Sequence, residues 1–302
     1  MTEADWTASN IPDQNGRVVI ITGANTGLGK ENAKVLAGLN AEVIIAVRSE
    51  EKGNAAASEI REQFPQARLS VRVLDLASLE SVKTFAEGII RDYQRLDLLI
   101  NNAGVMMCPY STTADGFEMQ FGTNHLGHFA LTLRLLPLLR ATENSRVVIL
   151  SSLAHRGGKL DFDDLNWESR KYKTGNAYSD SKLANLLFGY ELAEKLKNAG
   201  NHPLVTIAHP GFTSTDLMRH SRISRIITKV LSQEAEIGAL PTLRAAFDES
   251  AVAGDYFGPA GFQEMKGFPV KVQSSKVAQN RESAQKLWSI SEEMTGVTFP
   301  VT

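Results

Sequence analysis

The sequence predicts an α/β protein: a doubly wound parallel sheet with helices on both faces. Three observations carry that expectation. Six short β-branched strings recur along the chain, most of them continuously apolar, as strands covered on both sides are. The stretches between them are long enough for crossover helices, which suits right-handed parallel βαβ units. A glycine-rich turn follows directly on the first string.

The strings are Arg17–Ile21, Val43–Val47, Leu69–Leu74, Leu96–Ile100, Arg146–Leu150 and Leu204–Ala208, and spacers such as Gly29–Leu39 and Leu79–Tyr93 read as helices. No linker, low-complexity stretch or repeat interrupts them, so one domain over 1–302 is expected, with its core at about 16–260. Two stretches break the rhythm: 155–177, polar and turn-rich, and 213–240, helical in pattern. Both follow carboxyl ends of strands, where open α/β sheets bind ligands, and 213–240 is expected to be a substrate lid. Within it Leu217–Leu231 is amphipathic, with Arg219, Arg222, Arg225 and Lys229 beside Ile223, Ile226, Ile227 and Val230. A solvated helix packed over the site is the plain interpretation; a peripheral membrane contact also suits the pattern.

The 32 Lys+Arg and 34 Asp+Glu nearly cancel, so no field favours nucleic acid as a partner. A single cysteine, Cys108, excludes an internal disulfide framework and a multi-cysteine zinc site, and fits a reducing compartment. Met1–Gly16 is polar, without the basic start and apolar core of a signal peptide, and no run of 18 apolar residues occurs. A cytoplasmic protein acting on a small molecule is expected, with no integral membrane segment; its oligomeric state is not readable.

The turn Thr22-Gly23-Ala24-Asn25-Thr26-Gly27-Leu28-Gly29 spaces its glycines G-x-x-x-G-x-G after the first strand. Gly23 allows the tight turn, Gly27 lets backbone approach a pyrophosphate, and Gly29 lets helix pack on strand. The helix N-terminus then offers free N–H groups to phosphate, as in a Rossmann dinucleotide fold. An acidic residue about 20 positions on would bind a ribose 2′-hydroxyl. Here the second strand ends in Arg48, and Lys30 follows the last glycine, so cations that suit a 2′-phosphate favour NADP(H) over NAD(H), although Glu50 and Glu51 lie just beyond.

Tyr178 and Lys182, four apart in Tyr178-Ser179-Asp180-Ser181-Lys182, project from one helix face. A phenol with a pKa of roughly 10 is a poor acid and base at neutral pH, and a nearby ammonium lowers that pKa. The rest of the set is Ser151-Ser152 after strand five, Asn101-Asn102-Ala103-Gly104 at the end of strand four, and Asn124 within Gly122-Thr123-Asn124-His125. With the glycine loop, Asp75-Leu76 after strand three and Pro210-Gly211 after strand six, the order and spacing resemble the short-chain dehydrogenase/reductase family from about Gly16 to Thr215, and more weakly at Asp255-Tyr256-Phe257. The finer strings Asn102–Pro109, Asn124–Phe129 and Ser151–His155 resemble its retinol-dehydrogenase-like branch, which includes protochlorophyllide reductases. Members of that branch mostly use NADP(H). Its microsomal retinol dehydrogenases carry a membrane anchor, and no comparable apolar run occurs here.

The resemblance implies an NADPH-dependent oxidoreductase interconverting an alcohol and a carbonyl, with a bulky apolar substrate as a guess from the branch. Tyr178 would be the proton donor or acceptor and Ser152, rather than Ser151, would hold the substrate oxygen. Lys182 would lower the tyrosine pKa and bond the nicotinamide ribose, while Asn124 anchors a water-linked relay. Asp75 and Leu76 would flank the adenine, Asn102, Ala103 and Gly104 line the cofactor's middle, and Pro210, Gly211 and Thr213 approach the carboxamide. His125 and His128 lack a third ligand at metal spacing and read as helix packing or capping, so no metal is expected. No G-x-S-x-G elbow supports a hydrolase. Met106, Met107 and Cys108 read as core or pocket wall, or as a soft lining for an apolar substrate. The alternatives are a non-catalytic dinucleotide sensor or scaffold on the same fold, and light-driven protochlorophyllide reduction.

Overall fold

The computed structural model describes residues 5–199, 202–212 and 235–300. The strands are β1 Val18–Thr22, β2 Glu42–Val47, β3 Arg68–Val73, β4 Leu98–Asn101, β5 Arg146–Leu150, β6 Leu204–Ala208, β7 Tyr256–Pro259 and β8 Pro269–Lys271. They form one sheet in the order β3-β2-β1-β4-β5-β6-β7-β8, parallel throughout except for the antiparallel β7/β8 pair. The six expected strands are all present within two residues of their reading. β8, three residues long, was not foreseen.

The helices are α1 Gly27–Gly38, α2 Glu50–Gln63, α3 Leu79–Asp92, α4 Met119–Phe121, α5 Gly127–Ala141, α6 Thr174–Asn198, α7 Ala235–Phe247 and α8 Arg281–Thr295. Each central strand feeds two cores. In β1, Val18 and Ile20 pack with Phe85, Leu131, Leu187 and Trp288 from α3, α5, α6 and α8. Val19 and Ile21 pack with Leu36, Ile60 and Leu243 from α1, α2 and α7. A strand with apolar neighbours on both faces has no polar face to show, which is why these strings do not alternate. Ser49 and Ser78 cap α2 and α3, accepting from Lys52 N and Ser81 N at 3.3 and 3.2 Å, each worth about 1 kcal/mol.

Winding reverses between β1 and β4, so their carboxyl ends open the crevice where such sheets bind ligands. Among the described residues no helix is long and apolar enough to cross a membrane. Residues 213–234, most of the expected lid, lie outside the described residues, as does Thr213.

Candidate active site

Gly23 and Gly27 take the left-handed conformation, φ +68° and +53°, which only glycine adopts without strain. A β-carbon on Gly29 would lie 2.5 Å from Asn102 Nδ2 and 2.6 Å from the Gly23 carbonyl, so the start of α1 presses on the end of β4. Thr22 fastens the two sides: its Oγ1 accepts from the Asn102 and Ala103 amides, both at 2.9 Å, and its carbonyl accepts from Asn102 Nδ2 at 2.7 Å. The result is a rigid backbone cradle rather than an ordinary βα turn.

Two adjoining cavities share this cradle. One of about 190 Å³ is lined by Arg48, Asp75 and Leu76 together with Gly23, Asn25, Ala103 and Gly104. The other, about 210 Å³, continues past Thr26, Gly27, Leu28, Gly29 and Asn102 to Tyr178, Lys182 and Pro210. Arg48 is exposed, and no carboxylate among the described residues pairs with it. Lys30 instead pairs with Glu59 at 2.6 Å. A larger cleft of about 580 Å³ between α6 and α8 is lined by charged side chains, including Glu191, Glu194 and Lys197, and by none of these residues.

Tyr178, Lys182 and Ser152, the residues expected to carry acid–base chemistry, lie at the far end. α6 begins at Thr174, four residues before Tyr178, and is stitched to β5 where Ser151 Oγ donates to the Lys182 carbonyl (2.8 Å) and Asn185 Nδ2 donates to the Leu150 carbonyl (2.9 Å). This makes Ser151 a structural residue and leaves Ser152 beside the phenol. Burial holds the Tyr178 hydroxyl above the usual phenol range, opposed by its hydrogen bond with Ser152. Burial also pulls the Lys182 ammonium down to about 8, with its Nζ 5.7 Å from the Tyr178 ring centre. From sequence, the ammonium is expected to depress the phenol's pKa. In the folded protein desolvation of both groups outweighs that attraction.

Asn124 sits in a π turn, Gly122–Leu126, between α4 and α5. Glycines bracket the turn because the chain has no room: a β-carbon on Gly122 would lie 2.5 Å from Thr113 Cγ2, and one on Gly127 would lie 2.4 Å from the Leu76 carbonyl. Such turns recur at functional sites. The Asn124 amide is engaged with the protein, Oδ1 accepting from Val105 N (2.8 Å) and Nδ2 donating to the Val105 carbonyl and Ser181 Oγ, both at 2.9 Å. Its Oδ1 and Lys182 Nζ both flank Gly104, 3.1 and 3.5 Å from where a β-carbon would be.

Sequence reasoning missed the residues that hold these loops. His128 Nδ1 lies 2.9 Å from the Asn124 carbonyl, which can only accept, so the ring's proton is there and Nε2 accepts from Thr22 Oγ1 at 2.9 Å. Burial keeps the ring neutral, its pKa near 4. His155 works alike: Nε2 accepts from Ser275 N at 3.2 Å, so Nδ1 donates to the Ser152 carbonyl at 2.6 Å. His125 bonds Ser291 instead, at 2.9 Å. Among the described residues no cluster of His, Cys, Asp and Glu could hold a metal. The only signal in the sequence was the placing of His128 and His155 within a few residues of Asn124 and Ser152.

A phosphate-type cradle at the switch point of a doubly wound sheet, leading to a buried Tyr–Lys pair, defines a Rossmann-type dinucleotide oxidoreductase. The family model described as short chain dehydrogenase matches residues 17–225. Human retinol dehydrogenases 13 and 12 are each 45% identical, over 94% of this chain and 86% and 88% of their own lengths. A crystal structure of an uncharacterized protein from Mycobacterium paratuberculosis is 43% identical with a TM-score of 0.83, covering 98% of this chain and 100% of that one. An Escherichia coli CFT073 short chain dehydrogenase complexed with NADPH is 28% identical with a TM-score of 0.63, over 81% and 96%. The chain belongs to the short-chain dehydrogenase family, and its motifs' likeness to the retinol-dehydrogenase-like branch is borne out.

Proposed function

We propose that the protein is an NADP(H)-dependent oxidoreductase interconverting an alcohol and a carbonyl on a bulky apolar substrate. The observation that carries this reading is a pair of adjoining cavities on one glycine cradle, with a cation, Arg48, in the first and Tyr178 and Lys182 in the second. The glycine cradle fits a dinucleotide because Gly23, Gly27 and Gly29, which carry no side chain, line the cavity at the N-terminus of α1. Gly23–Gly29 would hold the pyrophosphate, Asp75 and Leu76 the adenine, and Lys182 the nicotinamide ribose. A bound nicotinamide supplies or accepts the hydride. Tyr178 then gives or takes the proton at the substrate oxygen, and Ser152 holds that oxygen as negative charge develops on it. Asn124 keeps Val105 and Ser181 in place beside Lys182, and a water-linked relay would leave from there. Relatives named retinol dehydrogenase and a neighbour complexed with NADPH support the apolar substrate and the cofactor.

The test is turnover of a panel of aldehydes, ketones and quinones with NADPH and with NADH. Dinucleotide binding with no turnover on any member would favour a sensor. The cofactor preference has its own check: Arg48→Asp puts a carboxylate where a 2′-phosphate would sit, so the ratio of kcat/KM for NADPH over NADH is expected to fall by one to two orders of magnitude, about 1.4 kcal/mol for each. An unchanged ratio would place the 2′-phosphate elsewhere.

A further inference from the structure

The loop joining β7 to β8 belongs to none of the motifs above. It carries Gln263 and Glu264 at φ +50° and +59°, a conformation that side-chain-bearing residues keep only where their surroundings over-determine it. It braces the turn after β6: Phe212 N donates to the Met265 carbonyl at 2.8 Å, and a β-carbon on Gly211, φ +70°, would lie 2.5 Å from that same oxygen.

The Glu264 carboxylate has two partners. Oε1 accepts from Arg156 Nη2 at 2.6 Å, in the turn Leu153–Gly157 that follows Ser152. Oε2 accepts from His209 Nε2 at 3.0 Å, at the end of β6. The buried His209 ring lies over Gly258, where a β-carbon would be 2.0 Å from Nε2, so only glycine there leaves room for it. Its Nδ1 accepts from the Gly211 amide at 3.2 Å. An amide N–H can only donate, so Nδ1 is bare and the one proton of the neutral ring sits on Nε2, aimed at Glu264.

We propose that Glu264 is a positioning residue that sets two walls of the active site in register: it anchors Arg156, behind the carbonyl-binding Ser152, and selects the His209 tautomer that holds Gly211 and so shapes the Pro210-Gly211 turn at the carboxamide end of the cofactor site. This rests on the role proposed above for Ser152 and on the carboxamide contact that the family resemblance implies for Gly211. The chemistry favours a carboxylate because two donors converge on it from different loops and each needs its own acceptor oxygen. A glutamine of the same shape has one acceptor oxygen, so one partner is left facing an NH₂ group.

The test is Glu264→Gln in the full chain. Imidazole ¹⁵N spectroscopy is expected to show His209 protonated at Nε2 in the wild type and a redistributed tautomer in the variant. NADPH affinity is expected to weaken severalfold and kcat/KM to fall by about tenfold to a hundredfold, the scale of small misplacements in a site. Arg156→Ala should then lower kcat/KM less in the Glu264→Gln background than in the wild type, because both act through one carboxylate. A lower Tm with an unchanged His209 tautomer and unchanged NADPH affinity would overturn the proposal. So would an unchanged kcat/KM in Arg156→Met, a half-exposed position whose replacement leaves the fold intact even where Glu264→Gln does not. If wild-type protein bound no dinucleotide, the reading of the site would fail while the tautomer result stood on its own.

Discussion

Tyr178→Phe is expected to lower kcat by ~10²–10⁴-fold, the range that a positioned proton donor contributes. The change deletes one oxygen and keeps the ring, which is 9% exposed, so the packing of α6 survives. The cradle between Gly23 and Gly29 is built from β1, α1 and the end of β4, none of which depends on that hydroxyl. NADPH affinity, read by fluorescence titration, should therefore stay close to wild type while steady-state turnover collapses. The raised pKa of the phenol has a direction of its own: it keeps the proton on Tyr178 at neutral pH, which suits carbonyl reduction. Alcohol oxidation needs the phenolate and should speed up as pH rises. A Tyr178→Phe protein that turned over at the wild-type rate would remove this residue from the chemistry.

Lys182→Met should lose both turnover and cofactor affinity and yet gain stability in the absence of cofactor. Burial pulls the ammonium from 10.5 to about 8, so in the unfolded chain it holds its proton more tightly than in the folded one. The sign follows. Below pH 8 the folded protein carries the full desolvation penalty, of order 3 kcal/mol at 1.36 kcal/mol per pH unit, and the penalty fades as pH rises from about 8 toward 10.5. Methionine fills a similar volume without charge. Denaturant melts of the two proteins should differ most at pH 7, with the variant the more stable, and converge near pH 10. A variant less stable than wild type at pH 7 would mean that the ammonium is satisfied by its surroundings, and that its suppressed pKa is not a liability of the fold.

Strands β1 to β6 and the glycine turn were legible because continuous apolar runs and glycines at fixed offsets survive any detail of packing. The proximity of Tyr178 and Lys182 was legible for a related reason: the two are locked together by one helical turn. What stayed hidden depends on distant partners. The three-residue β8 exists through its pairing with β7, and its sequence, Pro269-Val270-Lys271, carries no strand signal. Nothing in Gly122-Thr123-Asn124-His125-Leu126 departs from an α-helical pattern, because the π turn is imposed by Thr113 and Leu76. The first turn of α6, Thr174-Gly175-Asn176-Ala177, shows no apolar periodicity and so carries no helix signal of its own. The hydrogen bond of His155 could not be read locally because it reaches across the chain, to Ser275, 120 residues away.

The five-residue turn that carries Asn124 holds one residue more than an α-helix would use, its amide from Gly127 reaching back to Gly122. Removing that surplus residue would restore regular i to i−4 bonding, at the expense of rotating everything on one side of the cut by about 100° about the helix axis. Asn124 would swing away from Val105 and Ser181. A deletion variant lacking one residue of this segment would therefore be expected to keep a helix there and lose the Asn124 contacts.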